Sequence, residues 1–173
     1  MFFSRSLELQ TEVFRNPNAA YLSADSAATV PSPLNIGLEN SRRFRALPVY
    51  AVLRAEGREG LAAMFERMVM LARGIAQFVR DSEHYEWLPD QAADVEQTFM
   101  IVIFRAKDPE LNEVLVSKLN ETREIWVSGT SWNGQKAVRV AVSNHGVDVS
   151  RDLPVVIEIL RAVAQDHLQS IPE

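Results

Sequence analysis

The chain has 173 residues, 47% apolar and 24% charged, with a formal net charge of -5 and no cysteine. That length suits one domain, or one domain with part of a second. The acidic balance without a basic tail argues against nucleic acid or an anionic membrane as partner, and the missing thiols exclude disulfides, a thiolate nucleophile and cysteine-ligated zinc.

The opening MFFSRSLELQ has neither a long apolar core nor a basic leader, so no signal peptide is expected. The longest strongly apolar run, FMIVIF at 99–104, is far short of the roughly 20 residues that span a bilayer. Together these readings favour a reducing cytoplasm.

Residues 2–13 read as a short strand followed by a turn of helix. Residues 15–40 hold Pro17, Pro31, Pro33 and Gly37 among Asn, Ser, Ala and Asp, which is loop chemistry. A loop of that length in a compact domain is usually functional or disordered. A helix is predicted from about Ser41 to Glu56, stopped by Gly57, with a kink where Pro48 removes a hydrogen bond. The strongest helix signal runs over 58–80. Leu61, Met64, Phe65, Met68, Leu71, Ala72, Ile75, Phe78 and Val79 recur at steps of three and four and make one apolar stripe.

Tyr85–Leu88 reads as a short edge strand ended by Pro89, with a polar linker running on to Gln97. Residues 98–105 read as an apolar strand covered on both faces. Asp108-Pro109 is the signature of a helix cap followed by a first-turn proline, with Leu111, Val114, Leu115 and Leu119 as the inner face. Residues 125–132 and 135–143 flank Asn133-Gly134, which supplies the two positive-φ positions of a type I′ hairpin turn. A last helix is predicted over about 151–170, capped by Ser150 or Asp152 and with Pro154 in its first turn. Its inner face is Val156, Ile159, Leu160, Val163 and His167. The order α-β-α-β-β-α predicts an α+β fold with helices on one face of a small, mainly antiparallel sheet.

His84, His145 and His167 are scattered and none sits in an H-E-x-x-H spacing, so no metal site is expected. His84 between Glu83 and Glu86 reads as a solvated loop histidine. No G-x-S-x-G elbow, Walker loop or G-x-G-x-x-G occurs. The most informative stretch is GLENSRRFRALPVY at 37–50. There Arg42, Arg43 and Arg45 crowd around Phe44, with Pro48 just beyond. Guanidinium groups bind carboxylates and phosphates bidentately, so these arginines can steer an anionic substrate, pair with internal acids or clamp a loop. Composition by itself favours structural pairing with Glu39, Glu56 or other acids. Arg139 lies on the strand face opposite Val138, Val140 and Val142. It either reaches an acceptor across the sheet or covers Ala137 and Ala141 with its stem. Tyr21 in the long loop can bring a phenolic proton into a closing site or simply pack on the body.

SRRFRAL closely resembles the S/G-R-R-F-R segment that closes the active site of the pyridoxal-phosphate-dependent group II amino-acid decarboxylases, which act on aromatic amino acids, tyrosine and histidine. FFSRSL resembles the segment shortly after that family's cofactor lysine. NPNAAYLSAD resembles its mobile catalytic loop, with two extra residues between Pro17 and Tyr21. FMIVIFRAKD, SWNGQKAVRVAVSN and the closing helix resemble its small C-terminal domain. The resemblance implies the fold type I transferase architecture. Residues 1–57 would be the tail of the cofactor-binding large domain, with the catalytic loop at about 15–40, and 58–173 the small domain. It implies Tyr21 as the proton donor after carbon dioxide leaves, with Ser41 and Arg42 at the substrate. It leaves Arg43, Arg45 and Arg139 as structural or anion-pairing groups.

The family holds pyridoxal 5′-phosphate on the lysine of an H-K pair. This chain has only Lys107, Lys118 and Lys136, none after a histidine. A Schiff-base lysine makes the cofactor an electron sink. The expectation is therefore a C-terminal fragment that does not bind the cofactor covalently and is inactive alone. It would work as part of a homodimer or beside a full-length decarboxylase subunit. The alternative is a non-enzymatic module that associates with an intact decarboxylase.

Overall fold

The computed structural model describes residues 5–14, 36–38, 43–88 and 94–170. The chain divides into two compact units, Met1–Ala55 and Glu56–Glu173.

In the first unit, helix α1 (Leu7–Phe14) is 8 residues long, about one turn more than the single turn expected. Ser6 starts it: its Oγ accepts from Leu9 N at 3.1 Å, satisfying one of the free donors at a helix N-terminus. Gln10 Nε2 donates to Ile36 O at 2.8 Å and ties α1 to the bend at 36–38. Helix α2 (Leu47–Asp81) begins about six residues later than the sequence suggested. Pro48 consequently falls in its first turn, where a missing N–H removes no bond and the fixed φ suits the helix. The kink expected at Pro48 is instead at Gly57, which takes φ 62°, ψ -168° inside the helix. That conformation is open to glycine and strained for other residues.

The second unit is an α+β layer pair, as expected. A four-stranded antiparallel sheet has the order β1-β2-β4-β3, built from β1 (Tyr85–Leu88), β2 (Ile101–Ala106), β3 (Ser128–Trp132) and β4 (Gln135–Ala141). A single 3-10 turn, Val95–Gln97, interrupts the linker between β1 and β2. The β3–β4 turn places Asn133 at φ 50° and Gly134 at φ 77°, the two positive angles that the right-handed strand twist requires. Register then runs Trp87↔Phe104↔Val138 on one face and Leu88↔Ile103↔Arg139↔Ser128 on the other.

Helices α2, α3 (Pro109–Glu121) and α4 (Val149–Ser170) contribute to one apolar cluster with the first of these faces. Met68, Leu71, Ala72, Ile75, Ala76 and Val79 come from α2, and Leu111, Leu115 and Leu119 from α3. Ile159, Leu160, Val163 and Ala164 come from α4. Of the expected stripes, Phe65 and Val114 lie outside this core and are exposed. Strand β2 corrects the reading of a strand covered on both faces: Val102, Phe104 and Ala106 are buried, but Ile101 is exposed and Ile103 and Arg105 are half-buried. The helices cover one side, and the hydrophobic run reflects a second face that is itself partly apolar.

Polar groups lock the layers. Tyr85 Oη donates to Leu160 O at 2.7 Å, and its ring meets Phe104 edge-on at 5.5 Å. Arg161 stands 5.4 Å from the Phe78 ring centroid, a cation–π contact between α4 and α2. Arg73 of α2 ion-pairs with Glu96 and donates to Thr98 O at 3.2 Å, which fixes the linker. Asp108 caps α3 as expected, accepting from Leu111 N at 2.8 Å. The cap of α4 is Asp148, not Ser150 or Asp152. Its Oδ1 accepts from Ser150 N at 3.0 Å and Arg151 N at 3.3 Å, while Asp152 Oδ2 accepts from Asp148 N at 3.0 Å. Those reciprocal bonds are a variant of the capping box and start the helix two residues earlier than predicted. Pro154 therefore sits beyond the first turn, inside the helix.

Candidate functional site

Arg43 and Phe44 run into a turn at Arg45 and Ala46, where Arg45 N donates to Arg43 O at 2.7 Å and Leu47 N to Phe44 O at 3.1 Å. The turn is local backbone bonding, and it leaves Phe44 66% exposed, with Arg43 and Arg45 exposed beside it. Two guanidinium groups and an aromatic ring are thus displayed immediately before a helix start. That chemistry suits binding an anion, because the helix N-terminus adds its own positive end. Tyr21, Ser41 and Arg42 lie outside the described residues.

Arg139 is in β4 on the helix-free sheet face, between Ala137 and Ala141 in alternation and opposite Ile103 and Ser128. It is half-buried, and Ala137 beside it is buried. The nearest acid along that face in the register, Glu86, is already held by Arg105 Nε at 2.6 Å. Leu88 is also buried on this face and, with Ala137, stands outside the main apolar cluster.

The lysines do not fit a pyridoxal phosphate anchor. Lys107 is exposed and its Nζ donates to Ser82 O at 2.9 Å. Lys136 ion-pairs with Glu113, and Lys118 is in the last turn of α3. Lys107 and Lys136 do share a polar cleft of about 550 Å³ with Glu86, Arg105, Asn112 and Glu113. Its lining has no aromatic side chain to stack on a pyridine ring, and its cations already have partners in the protein. Asn112 bridges the diverging strands there, accepting from Ala106 N at 3.1 Å and donating to Lys136 O at 3.0 Å. The cleft is a braced sheet edge and not a cofactor cradle.

Among the described residues no cluster of His, Asp and Glu could hold a metal ion. His84 is half-buried; its N–H donates to Ser82 Oγ at 3.1 Å, and its carbonyl accepts from Lys107 N at 2.9 Å. The buried His167 of α4 reaches Asp108, the α3 cap, with Nε2 and Oδ1 3.3 Å apart. Sequence placed His167 on the inner face, but nothing local could give a partner 59 residues away. Hydrogen bonding from Leu111 N, then His167, holds the Asp108 carboxyl below its usual value. Among the described residues no helix is long and apolar enough to cross a membrane.

The helical layer packed on a four-stranded antiparallel sheet, reached through an arginine-rich turn and a long helix, places the chain in a recognisable α+β class. A tryptophan decarboxylase from Catharanthus roseus solved with L-tryptophan superimposes on 90% of the chain, with a TM-score of 0.72 at 21% identity. A structure of Oryza sativa TDC with PLP and tryptamine matches 91% of this chain and 33% of its own length, with a TM-score of 0.76, also at 21% identity. In sequence, residues 3–107 match the pyridoxal-dependent decarboxylase conserved domain. The chain belongs to that pyridoxal-phosphate-dependent amino-acid decarboxylase family. Pig aromatic-L-amino-acid decarboxylase is 30% identical over 73% of this chain, and Drosophila melanogaster histidine decarboxylase 27% over 87%. The chain spans only 25% and 18% of those two relatives' lengths.

Proposed function

We propose that these residues are the C-terminal portion of a decarboxylase that converts an L-amino acid, aromatic in its side chain, to the amine and carbon dioxide. Residues 1–57 are the end of its cofactor-binding large domain, with the catalytic loop at about 15–40, and 58–173 are its small domain. Tyr21 is the loop proton donor, Ser41 and Arg42 face the substrate, and Arg43 and Arg45 hold the segment or pair with anions. The observation that carries this reading is the family match across residues 3–107, which takes in the arginine segment and the loop together. The aromatic, tyrosine and histidine decarboxylases among its relatives support the substrate class.

Lys107 and Lys136 are engaged elsewhere and none of the three lysines follows a histidine, so on this reading the cofactor lysine comes from residues outside these 173. They act in a homodimer of a longer chain or beside a full-length subunit, in the cytoplasm. The test begins with the coding DNA upstream, where an in-frame histidine-lysine pair is expected. The purified 173-residue chain, mixed with pyridoxal phosphate and aromatic L-amino acids, should develop no aldimine absorbance and release no amine. Amine formation by this chain alone would refute the fragment reading.

The exposed apolar side chains at the start of α2 favour one second reading, a non-enzymatic module that binds an intact decarboxylase. Pull-down with a full-length relative that leaves the relative's activity dependent on its own Tyr loop, together with an upstream stop codon, would favour it over the first.

A further inference from the structure

An apolar cleft of about 200 Å³ opens in the second unit, where the end of β4 and the α3–β3 loop meet the N-terminal half of α4. Half-buried Ile125, Val140 and Val156 form its walls, over the buried core side chains Phe104 and Leu160. Trp126 stands at the mouth and is 82% exposed. An indole displayed beside an apolar hollow is an unusual thing for a surface to leave in water.

Size and polarity together restrict what the cleft can take. An apolar cavity of about 150 Å³ is known to hold benzene, so this one has room for a single substituted ring. The one charged side chain at the rim, Asp152, and the acceptor oxygen of Asn144 are already engaged. Asn144 Oδ1 accepts from Gly146 N at 2.9 Å, and the Asp152 carboxylate accepts from Asp148 N and is paired with Arg151 Nε at 2.6 Å. Among the described residues no buried side-chain nitrogen or oxygen lacks a partner. The site therefore offers a charged ligand little in exchange for its hydration. The flat face of Trp126 favours an aromatic ring over a branched aliphatic of equal volume.

We propose that this cleft is a binding site for a small neutral aromatic molecule, in which one ring enters between Val140 and Val156 and lies against Trp126. No residue of the arginine segment lines the cleft, and the proposal does not depend on the decarboxylase reading. Its ligand is distinguished from an amino-acid substrate by charge: the ring alone binds, and the same ring on a zwitterion does not.

The test uses the full 173-residue chain and toluene, followed by amide and indole N–H chemical shifts. Toluene should shift residues 125–127 and 140–144 saturably, and the effect should be insensitive to salt because no charge is paired. Phenylalanine should leave those signals in place. Val156→Phe, which fills the cleft from α4, should abolish the shifts. Trp126→Ala changes only an exposed side chain, so it tests the site without risk to the core, and it should weaken binding at least several-fold. A flat toluene titration in a well-dispersed spectrum overturns the proposal, as do shifts that survive both substitutions. Equal binding of phenylalanine overturns the choice of a neutral ligand. An undispersed spectrum also overturns it, since the cleft exists only where the core is packed.

Discussion

The two units treat apolar side chains in opposite ways. Among the described residues, no side chain before Met68 is buried, although Phe44, Leu47, Val49, Tyr50, Val52 and Leu53 crowd the start of α2. From Met68 onward α2 feeds one cluster with the sheet, α3 and α4. A helix that is apolar on several sides is one that a larger body normally surrounds. The contrast supports reading the first stretch as a piece of a domain whose bulk is elsewhere, and the second as a unit with its own core. It also explains why a chain spanning about a quarter or less of its curated relatives still contains a well-formed layer pair.

The comparison breaks most easily at the core. Leu115 of α3 is fully buried, and Leu115→Ala should cost about 2–5 kcal/mol in denaturant unfolding. Leu53→Ala, at a half-exposed position of the first unit, should stay within about 0.5 kcal/mol. Equal costs would mean that both leucines belong to one core. The turn between β3 and β4 comes next. Gly134→Ala puts a side chain at φ 77° and should cost about 1–2 kcal/mol, read as a lower unfolding midpoint with an unchanged slope.

Tyr85→Phe should cost about 1 kcal/mol, because it removes the bond from the phenol to Leu160 O while keeping the ring against Phe104. Burial also pushes the Tyr85 phenol well above its ordinary value. Alkaline difference absorbance should therefore show the Tyr85 phenolate only once the fold is lost, as a step present in wild type and missing in Tyr85→Phe. A Tyr85-dependent phenolate step in the still-folded protein would mean that the phenol is in water and the β1–α4 contact is not made.

What could be read in advance was whatever local chemistry decides. Asn133-Gly134 left one economical turn, Asp108-Pro109 one helix start, and the leucine and isoleucine spacing of α2 one inner face. The errors fall where several local solutions are nearly equal. Asp148, Ser150 and Asp152 can each cap a helix, and the choice was settled by the carboxylate that reached two backbone N–H groups at once. Pro48 reads as a kink only if the helix begins upstream of it. Both faces of β2 are apolar in sequence, and only the tertiary arrangement decides that the helices lie on one of them. The candidate site was legible chiefly through resemblance. Arg43 and Arg45 prove to be exposed at a helix entrance, but local sequence does not decide which groups they pair with. Tyr21, Ser41 and Arg42 lie outside the described residues.

The smallest expected effect is an acid one, and it sharpens the same contrast. Asp108 is held below the usual carboxylate value by the Leu111 amide and then His167. Asp148 is lowered by the Ser150 hydroxyl and then the Arg151 amide, and Asp152 by Arg151 and then the Asp148 amide. All three belong to helix starts of the second unit, whereas α1 is capped by the uncharged Ser6. A carboxyl whose folded value lies below its unfolded one binds protons more readily when unfolded. Its contribution is complete above the ordinary aspartate range and is lost as pH falls through the lowered folded values. Unfolding midpoints measured down a pH series should therefore decline on entering the ordinary aspartate range and continue to fall below it. Asp148 is exposed and Asp108 and Asp152 are only half-buried, so the decline should be shallow and should flatten further in high salt. Asp148→Asn keeps a side-chain acceptor for the Ser150 and Arg151 amides but removes the proton equilibrium, so it should flatten part of the acid slope. An acid slope unchanged by Asp148→Asn and Asp108→Asn together would mean that the caps do not set it.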